Sequence, residues 1–123
     1  MPRHLRFQSR SWATHHVTSR CLRGYAFLKP IPQVKAICAG TLAYSLDTYQ
    51  GRVELHHLAF LSNHFHLLLS TAEAHDLASF MCHFKSNLAR ELCHLHDWGD
   101  ALWSGRYFSE EILDEGALRE VFK

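Results

Sequence analysis

Leu58-Ala59-Phe60-Leu61-Ser62-Asn63-His64-Phe65-His66-Leu67-Leu68-Leu69 is the stretch on which the fold turns. Two apolar runs flank Ser62-Asn63, residue types that close tight turns, and this predicts a hairpin of strands Val53 to Leu61 and His64 to Ser70. Side chains two apart on a strand share a face, so His64 and His66 project together while Phe65, Leu67 and Leu69 take the other side. Two imidazoles on one rigid element make a two-point grip for a metal ion. Spacing alone fits equally well two strand histidines with no ligand, in a chain that has eleven.

The flanking segments alternate strand and helix. Ser11 to Arg20 alternates and is β-compatible, with Trp12, Thr14, His16 and Thr18 on one face. Gly24, Pro30 and Pro32 break Cys21 to Pro32 into a loop. Pro32, tolerated in a first turn, opens a helix to about Tyr49 with Val34, Ile37, Cys38, Thr41, Leu42 and Ser45 at helical spacing; Gly40 is its weak point. Gln50-Gly51 turns the chain into Val53 to Leu61, whose second half is too apolar to face water on either side. A helix of about Asp76 to Leu95 follows the hairpin, burying Leu77, Phe80, Met81, Phe84, Leu88 and Leu92 and leaving Lys85, Arg90 and Glu91 off the stripe. Asp97 to Asp100 is a turn, Leu102 to Phe108 a final short strand, and Asp114 opens a helix over Leu118, Val121 and Phe122.

Strand, helix, strand, strand, helix, strand is the β-α-β-β-α-β order of an α+β, ferredoxin-like sandwich, an antiparallel sheet with both helices on one face. The other face stays open, and open sheet faces of this kind bind single-stranded nucleic acid. A chain of 123 residues supports one domain. Its 47% apolar and 20% charged composition is that of an ordinary globular chain, with no apolar run of the roughly 18 residues a membrane helix needs. The N-terminal arginines have no apolar stretch behind them, so neither a secretory signal nor a membrane partner is expected, and a cytoplasmic location is. Cys21, Cys38, Cys82 and Cys93 form no Cys-x-x-Cys pair and read as small buried hydrophobes. No Asp or Glu precedes Asp47, whereas Arg3, Arg6, Arg10, Arg20, Arg23, Lys29 and Lys35 all do, a basic half suited to phosphate or simply to water.

Asn63-His64-Phe65-His66-Leu67 resembles the histidine-hydrophobe-histidine motif of the single-tyrosine HUH transposases, the IS200-like group and its repeat-associated relatives. His16-Val17-Thr18-Ser19-Arg20 is similar to the family's first strand, and Gly99-Asp100-Ala101-Leu102-Trp103-Ser104-Gly105-Arg106-Tyr107 to its segment after the second long helix. Ser62 stands where that family commonly has proline. The resemblance implies a fold of HUH endonuclease type, a divalent ion (Mg or Mn) held by His64 and His66, and single-stranded or hairpin DNA as partner. Arg20, Arg23, Asn63, Lys85 and Arg106 are the expected DNA-binding residues, and a homodimer is an open expectation. The family's nucleophilic tyrosine would fall immediately after Lys123, so the resemblance places no catalytic residue within the chain and implies a transposase domain spanning 1–123 without its C-terminal end. Tyr107 is the one tyrosine near the site in the expected topology. Two further readings stay open: a decayed or domesticated nucleic-acid-binding domain without catalysis, and a ferredoxin-like RNA-binding module, which would carry exposed aromatics on its central strands.

Overall fold

The computed structural model describes residues 12–113. Six elements follow the expected order: β1 (Ala13–Arg20), α1 (Pro32–Thr48), β2 (Val53–Leu61), β3 (His64–Thr71), α2 (Ala74–His96) and β4 (Phe108–Ile112). The sheet runs β2-β3-β1-β4 with every neighbouring pair antiparallel, which is the ferredoxin-like sandwich. Pro32 begins α1, where its missing N–H is no loss. Reciprocal side-chain bonds between Glu73 and Asp76 cap the start of α2, and Asp97, at φ 51, ends it.

One sheet face carries Val17, Phe65, Leu67 and Leu69 into the core, where they meet Val34, Cys38 and Leu42 of α1 and Phe80, Met81, Phe84, Leu88 and Leu92 of α2. Phe65 anchors the centre, its ring edge-on to Phe84 at 5.4 Å and to Trp103 at 5.5 Å. Ser62-Asn63 closes the β2–β3 hairpin with Leu61 paired to His64. The loop after β1 pins that turn, since Cys21 N–H donates to Asn63 O at 2.8 Å and Leu28 N–H to Ser62 O at 2.9 Å.

Three expectations are corrected. The last strand is Phe108–Ile112 and not Leu102 to Phe108: Leu102 is buried and Trp103 packs on the core, held by a single bridge between Trp103 and Cys21, and the chain loops before pairing with β1. The second half of β2 does face water, Leu58 and Leu61 both being exposed, because β2 is an edge strand. Lys85 belongs to the buried side of α2, its side chain covered and its ammonium bonded to Gly105 O. The helix expected from Asp114 lies outside the described residues.

Candidate functional site

Register determines which side chains share the open face. Thr18 pairs with His66, Arg20 with His64, and Phe108 with Thr18, so β1, β3 and β4 present Arg20, Thr18, His66, His64 and Phe108 on one side. His16 and Leu68 form the next row, and Thr14 and Ser70 the one after. Exposure is graded along this face: Leu68, Thr14, Ser70 and Ile112 are buried, whereas Arg20 and Phe108 are exposed. The accessible part is the end bearing the histidines. In its buried part a polar chain crosses three strands, from His56 Nε2 to Ser70 Oγ at 2.7 Å and on to Thr14 Oγ1 at 2.7 Å.

His64 and His66 stand together with ring centroids 4.9 Å apart and planes 79° to one another. Asn63 sets the first ring: its Nδ2 donates to Gly24 O at 3.4 Å, so its Oδ1 is the acceptor for His64 Nδ1–H at 2.8 Å. That tautomer leaves the His64 Nε2 lone pair as a ligand, the arrangement by which second-layer groups orient metal-binding imidazoles. The Nδ1 of His66 is within 3.0 Å of His16 Nε2 and 3.1 Å of Thr18 Oγ1, and the two rings stack at 5.1 Å. A proton on that Nδ1 leaves His66 Nε2 free in the same way.

Electrostatics favour the neutral, ligand-competent form of all three rings. Burial and then the Arg20 guanidinium lower the pKa of His64. His66 is lowered by burial, then by His16, His64 and Arg20. For His16, burial outweighs the opposing pull of Glu110. The donor set fits a divalent ion through two oriented imidazoles, with no cluster of three or more His, Cys, Asp or Glu ligands among the described residues.

The structure divides the residues read from the sequence into two groups. Arg20 and Asn63 stand beside the histidine pair, and the backbone of Arg23, at φ 51, and Gly24 forms the turn that receives the Asn63 side chain. Lys85, Arg106 and Tyr107 instead line a cleft of about 670 Å³ on the helix side, with Trp103 and Ala78. There Lys85 Nζ donates to Gly105 O at 3.0 Å and lies over the Trp103 ring at 5.1 Å. Desolvation brings its amine down to about 8. Sequence reading did not single out His16 as a partner of His66; alternation had put it on the right face of its strand, but adjacency of β1 to β3 is a long-range fact.

An antiparallel α+β sandwich with an oriented imidazole pair and a guanidinium on its open face defines the class. The profile of the family described as "Transposase IS200 like" matches residues 33–121, and this chain belongs to that family. Among solved structures it is similar to a REP-associated tyrosine transposase bound to a REP hairpin, with 15% identity and a TM-score of 0.69 over 98% of this chain and 68% of that one. A candidate transposase from Deinococcus radiodurans R1 gives 18% identity and a TM-score of 0.68 over 98% of this chain and 92% of that one. These likenesses are of fold. No curated protein sequence gives a significant match. Among the described residues, no helix is long and apolar enough to cross a membrane.

Proposed function

We propose that this transposase-family domain binds single-stranded or hairpin-flanked DNA across the histidine-bearing end of its sheet, with a divalent Mg or Mn ion held by His64 and His66. The observation that carries this reading is the joint orientation of the two rings by Asn63 on one side and His16 and Thr18 on the other, beside Arg20. When bound, the ion supplies Lewis acidity at a phosphate oxygen. Arg20 and Arg23 supply the phosphate contacts, and Asn63 holds the turn and His64 in place. Lys85 and Arg106 line the cleft on the helix side and lie off this path. The hairpin held by the REP-associated neighbour supports a structured DNA partner. Where a tyrosine hydroxyl reaches the scissile phosphate, the chemistry we assign is phosphoryl transfer to it: the tyrosine O–P bond forms as the P–O3′ bond breaks, leaving a 5′-phosphotyrosine and a 3′-hydroxyl that takes the proton. The 123 residues themselves favour the non-catalytic DNA-binding reading, because all four of the chain's tyrosines are engaged elsewhere, three in ring contacts and Tyr107 in the Lys85 cleft. A cytoplasmic home accords with this role. An RNA-binding module of the aromatic-platform type is not favoured: the open face of central strands β1 and β3 carries Thr, His, Arg, Leu and Ser but no Phe, Tyr or Trp at the registered positions.

Anisotropy titrations of hairpin-flanked single-stranded DNA at several salt concentrations, with and without Mn, test the proposal. Affinity should fall steeply with salt, with a shallower log–log slope for Arg20→Ala/Arg23→Ala. Mn binding should be lost in His64→Ala/His66→Ala. A salt-independent isotherm, or Mn isotherms identical for wild type and the histidine double variant, would overturn it.

A further inference from the structure

Phe108 is 63% exposed at the start of β4. Single exposed apolar residues are ordinary on protein surfaces, but the placement of this one is not. It pairs with Thr18, which pairs with His66, so Phe108, Thr18 and His66 form one row across three adjacent strands of the open face. With neighbouring strands about 4.8 Å apart, the Phe108 backbone lies roughly 10 Å across the sheet from the His66 backbone. The rest of β4 is Ser109, Glu110, Glu111 and Ile112, of which only Ile112 is buried. An aromatic at the head of such an edge strand contributes nothing to the core.

Charge limits the path of a bound strand. Arg20 stands in the row nearest the sheet end, while Glu110, paired with His16 two rows inward, repels phosphate. A nucleic-acid backbone engaging His64, His66 and Arg20 is therefore confined to the last two rows and leaves the histidines along the row that ends at Phe108. From these positions we propose that Phe108 is a base-stacking platform: single-stranded DNA runs across the strands, its phosphate at the imidazole pair and a neighbouring base face-on to the Phe108 ring. The proposal rests on the DNA-binding reading and adds its direction and a contact. Base–aromatic stacking is tolerant of sequence because every base has a π-face.

The test uses the 123-residue protein and oligonucleotides carrying 2-aminopurine at successive positions, read by anisotropy and by quenching of the 2-aminopurine emission. Wild type should quench the probe at one or two adjacent positions. Phe108→Ala should abolish that quenching and weaken binding about ten-fold, within the range measured for such contacts, while leaving the salt slope unchanged because no phosphate contact is removed. Phe108→Trp should restore both affinity and quenching, and because the residue is exposed, thermal melts of the variants should match wild type. Arg20→Ala gives the opposite pattern, a shallower salt slope with quenching retained at saturation. Phe108→Ala with wild-type affinity and quenching would overturn the platform alone. Failure of wild type to bind the oligonucleotides would overturn the DNA-binding reading and the platform with it.

Discussion

Asn63 ties the hairpin turn, the loop after β1 and the His64 imidazole into one unit. Its carbonyl accepts from Cys21 N–H at 2.8 Å, its amide nitrogen donates to Gly24 O at 3.4 Å, and its amide oxygen takes the His64 Nδ1 proton at 2.8 Å. Gly24 is suited to this approach because it sits at φ +72, where a Cβ would be strained and would stand 3.7 Å from the Asn63 amide nitrogen. Asn63→Ala keeps the backbone bond and removes the two side-chain ones. The hairpin should persist while His64 is free to rotate or to place its proton on Nε2. We expect Mn affinity to fall about 10- to 100-fold, the usual effect of deleting a second-layer partner, with partial recovery in Asn63→Asp, which still accepts from Nδ1–H. Calorimetric titration checks this; equal Mn affinity in Asn63→Ala and wild type would show that the ring is fixed by other contacts.

At the scale of elements, α2 and the segment from Leu102 to Arg106 are clasped from both sides of Lys85. Its ammonium bonds Gly105 O and lies over Trp103, whose indole N–H donates back to Lys85 O at 3.1 Å. Burial lowers the amine to about 8 from an ordinary 10.5, so between those values the unfolded chain binds the extra proton and stability rises with pH. Cys21 and Cys38 oppose this higher up: burial raises both thiols from 9 to about 11, so there the folded chain holds the protons and stability falls. The melting temperature should rise between about pH 8 and 9 and lose that trend above 9, and Lys85→Met should remove the rise. A flat wild-type profile across pH 8–9 would sink this account. The same clasp shows what was legible in the sequence. Strong period-2 and period-3.6 apolar patterns gave the hairpin and the α2 stripe, because burial alone specifies them. Phe108–Ile112 has no such alternation and is a strand only because β1 offers it an edge; Leu102 and Trp103 looked strand-like because they are core plugs. Lys85 lies four residues after Met81 and three before Leu88, in the stripe by spacing, and was set aside only because its head group is charged. Of the site, the histidine pair, Asn63 and Arg20 could be read locally, whereas the contact of His16 with His66 depends on strand order.

Across the whole molecule, the sheet separates three of the chain's phenols, those of Tyr44, Tyr49 and Tyr107, from its imidazole pair, and ring contacts hold the fourth. Tyr25 rests edge-on against Phe27 and Trp98 near the end of α2, Tyr44 lies at 5.0 Å from His83, and Tyr49 packs edge-on to Phe80. Tyr107 precedes Phe108 and alternates with it, so when Phe108 takes the open face Tyr107 turns to the helix side, where it packs on the core and lines the Lys85 cleft. These are all the tyrosines of the 123 residues, and in-line attack needs the hydroxyl within about 3–3.5 Å of the phosphorus. Moving Tyr44, Tyr49 or Tyr107 there would require unpacking the helix layer or unpairing β4 from β1, and moving Tyr25 would break its ring contacts with Phe27 and Trp98. Incubated with hairpin-flanked single-stranded DNA and Mn, this chain should therefore bind without forming an adduct that survives denaturation, and Tyr107→Phe should bind as wild type does. A denaturation-resistant adduct abolished by Tyr107→Phe would overturn the placement of the Tyr107 phenol on the helix side, since only a ring brought across β4 to the histidine face could supply that bond.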